Sequence, residues 1–349
     1  MSGRRKAIVT AGVAAGAVTA GMIGRTVLNA RRRRGDPEAH EPLALLPPED
    51  LGLVRSFDGT ELAVRAAGDP SLPIVVFVHG FSLDLTAWHY QWTELSARYR
   101  CVLFDLRSHG RSGRAAAGDL SPSAFGHDLA SVVEALDGDR PVLLVGHSMG
   151  SMAILAMAES RPELFAARVA GCVFAGAAAN DLVRGAMGSI TGLLRPRLGS
   201  IRQAAGRVNR LRHYVLSGPP DVGHLVARMT QFGPHASPHV VDYVVGLAAN
   251  ARSEVWTDAL AGLMDMDLRD AVRQVGVPAL VLVGEHDRVT PPASAVALAG
   301  ELPDGRLEVI EEAGHIPMME AHEAFNRRLE RFAQQVLGKP SRGRKRRSA

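Results

Sequence analysis

Short apolar runs alternate with longer segments of helical spacing over most of the chain. The runs contain almost no polar residues, which is typical of strands buried on both faces of a parallel sheet. They are Pro73–Val78, Cys101–Phe104, Pro141–Gly146, Val169–Ala175, Pro278–Val283 and the shorter Leu307–Ile310. The helical segments between and after them are Trp88–Tyr99, Phe125–Leu136, Ser151–Ser160, Val296–Glu301 and Ala321–Leu337. This alternation predicts an α/β protein with a doubly wound, mostly parallel sheet.

The same pattern divides the chain into regions. Residues 51–337 form the predicted main domain, which opens with a hairpin whose strands alternate around Asp58-Gly59. Between residues 177 and 264 the alternation stops, which indicates an insertion. Residues 36–50 are rich in proline and acidic residues and are interpreted as a linker, and residues 338–349 as a basic, disordered tail.

Charge is distributed unevenly along the chain. The pI is about 9.4, but residues 1–35 hold eight basic residues and residues 339–349 hold six, with no acidic residue in either segment. The rest of the chain has 26 basic and 36 acidic residues, which gives it a net charge of −10. This balance argues against a nucleic-acid groove on the folded domain. Cys101 and Cys172 lie in apolar runs and favour two buried small side chains over a disulfide, and no spacing typical of a metal site or cofactor is present.

The N-terminal segment has the features of a membrane-spanning helix. Residues 7–24 carry no charge, and as a helix they would extend roughly 27 Å, close to the thickness of a bilayer core. Basic residues flank this span, with more of them after it than before it, which favours a cytoplasmic main domain. We therefore expect one N-terminal membrane anchor, with the basic tails contacting lipid. A cleaved secretory signal, with Val18-Thr19-Ala20 as the cleavage site, is the alternative.

The clearest chemical signal follows the central apolar run. Residues 146–150 read Gly-His-Ser-Met-Gly, with a strand before and a helix after. A serine in so tight a strand-to-helix turn is strained, and glycines two residues before and after it remove clashing Cβ atoms. The turn exposes the Ser148 hydroxyl above a helix N-terminus, which favours developing negative charge.

Several motifs occur in an order that resembles the α/β-hydrolase family over roughly residues 51–337. They are His79-Gly80-Phe81, Asp105 to Ser112, the Gly146–Gly150 turn, Gly284 to Asp287 and Gly314-His315. The resemblance implies that residues 177–264 are a helical cap. Ser108 departs from the pattern, because the family usually has glycine there.

The resemblance also implies the site residues. Ser148 would be the nucleophile, His315 the base and Asp287 the acid that orients it, with Asp181 as an alternative acid. The backbone N–H groups of Phe81 and Met149 would form the oxyanion hole. His79 would hold its own loop or simply pack, and His147 is expected to point away from the serine.

These residues predict a serine hydrolase that cleaves an ester-like bond of a small-molecule or lipid-like acyl substrate through an acyl-enzyme. Thioesterase, C–C hydrolase, perhydrolase and acyltransferase chemistry use the same triad and stay open. A non-catalytic, ligand-binding member of the fold is a further alternative. The sequence does not determine the oligomeric state.

Overall fold

The apolar runs form one eight-stranded sheet in the computed structural model of the chain, which describes residues 35–115, 118–178, 222–265 and 267–338. The strands are β1 (Glu49–Arg55), β2 (Glu61–Ala67), β3 (Ile74–Val78), β4 (Arg100–Phe104), β5 (Val142–His147), β6 (Val169–Ala175), β7 (Ala279–Gly284) and β8 (Gly305–Ile310). Their order across the sheet is β1-β2-β4-β3-β5-β6-β7-β8. The first two pairings are antiparallel and the other five are parallel. The prediction of a mostly parallel sheet is confirmed.

Helices cover both faces of this sheet. Those within the described residues, in chain order, are α1 (His89–Leu95), α2 (Pro122–Ala135), α3 (Met149–Ser160), α4 (Pro162–Arg168), α5 (Val222–Thr230), α6 (Pro238–Asn250), α7 (Leu260–Asp265), α8 (Arg269–Arg273), α9 (Pro292–Glu301), α10 (Pro317–Glu320) and α11 (His322–Leu337). Alternate residues of β3 enter two separate cores. Val76 packs in the core that includes α2 and α3, and Phe77 packs in the core that includes α1 and α11. Burial on both faces explains why this strand is apolar throughout.

Two helices differ from their predicted bounds because of local capping. The segment predicted as one helix over Trp88–Tyr99 is a 3₁₀ turn over Leu85–Trp88 followed by α1. The Asp84 carboxylate starts the turn by accepting the Thr86 N–H at 2.9 Å. The predicted helix at Phe125 begins earlier, at Pro122, because the Ser121 hydroxyl accepts the Ala124 N–H at 3.2 Å.

The segment interpreted as a linker packs against the domain. Residues Glu49 and Asp50 already belong to β1, and Leu43 is 2% exposed in the core beside α1. The Asp36 carboxylate accepts hydrogen bonds from the Ser237 hydroxyl at 2.9 Å and the His239 N–H at 3.1 Å. Residues 36–43 therefore join the start of α6 to the core, a contact that composition alone does not indicate.

The insertion follows β6 and ends before β7. Its described part contains α5, α6, a π-helical turn over Val255–Ala259 and the start of α7, and α8 follows before β7. It meets the loops after β3 and β4, where the Tyr243 and Thr86 hydroxyls lie 2.5 Å apart and the Arg252 guanidinium donates to the Ser112 carbonyl at 2.9 Å. Residues 179–221 lie outside the described residues, so a helical cap stays a prediction, as do the domain bounds.

The predicted membrane anchor is corrected. Within the described part of the chain, none of the helices combines the length and the apolar character needed to cross a bilayer. The predicted span at residues 7–24 and the tail after residue 338 lie outside that part. The prediction of a membrane-anchored protein, with lipid contact through the span and the tails, is accordingly withdrawn.

Candidate active site

Ser148 occupies the strained turn that its flanking glycines predict. It lies between β5 and α3 with φ 50° and ψ −115°, a conformation that costs a non-glycine residue on the order of 1–3 kcal/mol. A Cβ on Gly146 would lie 2.6 Å from the carbonyl oxygen of Gly150, and one on Gly150 would overlap the Val78 carbonyl oxygen. The Ser148 N–H donates to Ala175 of β6 at 2.8 Å. The turn is thus fixed by both neighbouring strands.

Asp287 and His315 form a buried hydrogen-bonded pair. Asp287 follows β7 and His315 follows β8, and they are 3% and 5% exposed. His315 Nδ1 lies 2.9 Å from Asp287 Oδ2. Since an ionised carboxylate only accepts, Nδ1 carries the proton and Nε2 is left with its lone pair. A histidine held in this tautomer can accept a proton from a nucleophile.

Thr290 completes the surroundings of the carboxylate and was not found by sequence reasoning. Its hydroxyl donates to Asp287 Oδ2 at 2.7 Å, while Oδ1 accepts the N–H groups of Val289 and Thr290, both at 2.8 Å. Burial raises the pKa of Asp287, but His315 and the Thr290 donors outweigh it and hold the pKa below its usual value. Asp287 is therefore ionised at neutral pH. A threonine three residues after an aspartate is the only local signal for this contact.

Glu320 anchors the loop that carries His315. Its carboxylate accepts three backbone N–H groups, from Gly233 at 2.6 Å, Gly314 at 3.0 Å and Ile316 at 2.9 Å. Two of these donors flank His315 in the chain, and the third belongs to the insertion. Burial raises the pKa of Glu320 despite the three donors. Nothing in the sequence indicates this role, because the residues that it joins are far apart in the chain.

The His315 loop lies directly against the serine turn. The rings of His147 and His315 are 5.0 Å apart between centroids, and His147 Nε2 lies 2.8 Å from the His315 carbonyl oxygen, to which it donates. A Cβ on Gly176, the residue after β6, would lie 3.1 Å from His315 Nδ1. The imidazole of His315 thus lies near the ends of β5 and β6, beside the turn that holds Ser148.

The loop after β3 brings Phe81 to the same edge of the sheet. A Cβ on Gly80 would come within 2.5 Å of His147 Nδ1, so this loop rests on the His147 ring. His79 is buried, donates from Nδ1 to the Gly80 carbonyl at 2.8 Å and accepts the Leu106 N–H at Nε2 at 3.0 Å. This confirms that His79 holds its loop. The Phe81 ring packs edge-on against Trp256 of the insertion, with centroids 5.0 Å apart.

Three buried histidines around the site are neutral at physiological pH. Burial lowers the pKa of His79 to about 4 and those of His109 and His147 to about 3. Each ring donates to a backbone carbonyl through one nitrogen, at Gly80, Arg107 and His315 respectively. They support loops, and their low pKa values make them poor proton acceptors compared with an ordinary histidine.

Ser108, the departure from the family pattern, has φ 62°. This left-handed conformation suits glycine and costs another residue about 1–2 kcal/mol. The serine side chain adds one hydrogen bond that glycine could not form, because its hydroxyl accepts the Ala115 N–H at 3.0 Å, while its backbone N–H donates to Gly113 at 2.9 Å. Next to it, Arg107 forms a fully buried, bidentate pair with Asp128, both contacts being 2.7 Å. The loop therefore keeps its shape without the glycine.

The predicted site residues belong to loops at one edge of the sheet. Phe81 follows β3, Ser148 and Met149 follow β5, Asp287 follows β7 and His315 follows β8. These four strands are parallel, so their carboxyl ends meet at that edge. The alternative acid, Asp181, lies outside the described residues.

Comparison with known proteins places this arrangement in a family. Residues 75–328 match the sequence model of the alpha/beta hydrolase family. The chain belongs to the alpha/beta hydrolase family. The resemblance carried by the sequence motifs is thus confirmed.

Individual relatives agree with this assignment. A non-heme chloroperoxidase from Streptomyces lividans is 30% identical over 72% of this chain and 88% of its own length. A non-heme haloperoxidase from Rhodococcus erythropolis is 28% identical over 76% of this chain and 93% of its own. Among solved structures, a thermophilic esterase from Thermogutta terrifontis has a TM-score of 0.66 at 26% identity and covers 82% of this chain and 99% of that one. The family and these neighbours support a hydrolase.

Proposed function

We propose that the chain is a serine hydrolase that cleaves carboxylic esters of small acyl substrates through an acyl-enzyme. Ser148 Oγ attacks the ester carbonyl while His315 Nε2 accepts the hydroxyl proton. The carbon–oxygen bond of the ester then breaks, and His315 returns the proton to the departing alkoxide. In the second half, His315 accepts a proton from water, the hydroxide attacks the acyl-serine, and the acid leaves as Ser148 regains its proton.

The remaining groups stabilise the charges that appear during these steps. Asp287 accepts the Nδ1–H of His315 and stabilises the imidazolium. The N–H groups of Phe81 and Met149 bind the oxyanion, and the N-terminus of α3 adds a favourable field. Phe81 and Trp256 offer an apolar surface beside this position, which favours an apolar acyl or alkoxy group over a charged one.

The observation that supports the proposal best is the 2.9 Å contact between His315 Nδ1 and Asp287 Oδ2 in a buried setting. A histidine oriented by a carboxylate and placed beside a strained serine turn serves acyl transfer. Thioesters, activated carbon–carbon bonds and acyl transfer to another alcohol would use the same groups. Among solved structures, the similarity to the thermophilic esterase favours oxygen esters.

The test is a chain-length series of p-nitrophenyl esters, with matched thioesters, on the purified full-length protein. We expect hydrolysis of the oxygen esters with kcat/KM highest for one range of chain length, and loss of turnover in Ser148→Ala. Ser160→Ala, at the far end of α3, is the matched control and should keep the parent rate. Equal rates for parent and Ser148→Ala would refute the proposal. Faster turnover of the thioesters than of the oxygen esters would make thioesters the proposed substrate class.

A second candidate is peroxide-dependent chemistry at the same residues, favoured by the similarity to non-heme chloroperoxidase and haloperoxidase. In that case hydrogen peroxide replaces water in the second half and the acyl-serine is released as a peracid. A halogenation assay with hydrogen peroxide, halide and acetate separates the two. Halogenation that needs acetate and Ser148 would show perhydrolysis, and its absence alongside ester turnover would leave the esterase alone.

A further inference from the structure

One histidine and two glutamates converge on exposed parts of the loops that carry Asp287 and His315, and a second histidine lies beside one of the glutamates. Glu285 and His286 follow β7, Glu312 follows β8, and His235 belongs to the insertion. One ligand atom each of Glu285, His286 and Glu312 lies within 4.8 Å of the others. His235 Nε2 lies 3.5 Å from Glu312 Oε2. The motif Gly284 to Asp287 contains two of these residues, but no sequence pattern links them to Glu312 or His235, because the three loops are far apart in the chain.

The distances suit a small divalent cation. His286 Nε2 lies 3.8 Å from Glu312 Oε2 and 4.0 Å from Glu285 Oε2. Around a tetrahedral zinc ion with bonds of about 2.0–2.2 Å, neighbouring ligand atoms are separated by about 3.4 Å. The side chains are 35% to 79% exposed. Small side-chain rotations can therefore move the ligand atoms by the few tenths of an ångström needed to reach zinc-like separations.

The backbone beneath these side chains is held in place. The Glu285 N–H donates to Ile310 at 2.9 Å, and the His286 N–H donates to Ala313 at 2.8 Å. The Glu312 N–H donates to the Glu285 carboxylate at 3.1 Å, and Glu312 itself has φ 59°. The third loop packs closely on Glu312, because a Cβ on Gly233 would overlap the Glu312 carbonyl oxygen. The backbone positions of these residues are therefore fixed, while their exposed side chains can rotate.

The geometry points to a zinc-class metal site formed by Glu285, His286 and Glu312, which His235 would complete by turning from its contact with Glu312. Two imidazoles and two carboxylates favour zinc and its transition-metal neighbours over magnesium or calcium, which prefer all-oxygen ligands. A bound ion would link the loop of Asp287 to the loop of His315 from outside, because Glu285 lies two residues before the first and Glu312 three before the second. Its role would be to fix these loops relative to each other.

The test is metal binding to the untagged full-length protein, using zinc by titration calorimetry and cobalt by visible absorption. We expect one zinc per chain, tetrahedral cobalt bands that zinc displaces, and a higher melting temperature with zinc than without. The paired variant His235→Ala with His286→Ala should weaken zinc binding at least tenfold and remove the cobalt bands. His40→Ala, at an exposed histidine elsewhere, is the control and should bind as the parent does.

Three results would overturn the site. These are no zinc uptake at micromolar concentration, unchanged uptake in the paired variant, or equal stabilisation by magnesium and zinc. Melting temperatures measured without metal check that the variants fold. Ester hydrolysis is not needed for these readouts, so the metal site and the esterase proposal can fail independently.

Discussion

Replacing Glu320 by glutamine should displace His315 without touching the reacting groups. The carboxylate holds the N–H groups of Gly314 and Ile316, on either side of His315, together with that of Gly233. Glutamine has nearly the same shape but only one oxygen. If that oxygen keeps the two donors at Oε2, the amide NH₂ faces the Ile316 N–H, and two donors then oppose each other.

The magnitude follows from the hydrogen bonds. Three bonds to a charged acceptor at about 1.5–3 kcal/mol each become two neutral bonds at about 0.5–1.5 kcal/mol each, a loss of roughly 3–6 kcal/mol. Burial raises the pKa of Glu320, which shows that burying its charge is costly, and glutamine avoids that cost. We therefore expect the free energy of unfolding to fall by the lower end of this range, about 3 kcal/mol. At about 2–4 °C per kcal/mol for a domain approaching this size, the melting temperature should fall by roughly 6–12 °C.

In Glu320→Gln, the loss of kcat should be a more direct sign of a displaced His315 than the loss of stability. A displacement of about 1 Å in a group that must be oriented can cost about 100-fold, so we expect kcat for an ester to fall about 10-fold to 100-fold in Glu320→Gln, with KM little changed. The matched control is Glu323→Gln, an exposed glutamate that pairs with Arg327 at 3.5 Å, and it should behave as the parent does. Parent-like kcat in Glu320→Gln, or an equal loss in Glu323→Gln, would refute the reasoning.

The remaining predictions address the acid, the buried histidines and the N-terminal contact. Asp287→Asn should leave the melting temperature within a few degrees and lower kcat by about 10⁴-fold, because His315 would hold its proton on the wrong nitrogen; an intact rate would remove Asp287 from the mechanism. The pKa values of His79, His109 and His147 lie below the usual 6.5, so the unfolded chain takes up protons first and stability is lost as the pH falls from 6.5 towards 3, by up to about 1.4 kcal/mol per pH unit for each histidine. His109→Asn should therefore lose less stability than the parent between pH 7.5 and 5 in thermal melts, and parallel curves would contradict the burial argument. Leu43→Ala should lower the free energy of unfolding by about 2–5 kcal/mol in denaturant titrations, whereas Leu45→Ala, at a residue 48% exposed, should change it little; equal effects would show that residues 36–46 do not pack as described.

The sequence was sufficient where local pattern determines the structure. The run Val169–Ala175 is the strand β6 with the same bounds, because a strand buried on both faces must be apolar throughout. The two glycines around Ser148 likewise follow from the backbone of the turn itself. Ordered motifs then linked these elements to a family. The structure joins Asp287 and His315 by a hydrogen bond, while their catalytic roles stay a prediction.

Local pattern could not reveal contacts between residues distant in the chain. Glu320 joins the His315 loop to Gly233, some 87 residues away, and Asp36 meets Ser237 across 201 residues. Residues 36–50 have the composition of a linker. Proline and acidic residues are equally common in a segment that packs on a domain and in a free linker, so composition does not distinguish the two. The cluster of Glu285, His286 and Glu312 could not be predicted for the same reason, because these residues come together only when β7 and β8 pair.

The central claim, that Ser148 is an activated nucleophile, is tested most directly by covalent labelling. The purified protein is treated with a fluorophosphonate, and the modified peptide is identified by mass spectrometry. The proposal predicts one adduct, on the peptide containing Ser148, absent in Ser148→Ala and strongly slowed in His315→Ala because the hydroxyl has then lost its base. Labelling on another serine, or full labelling of Ser148→Ala, would contradict it.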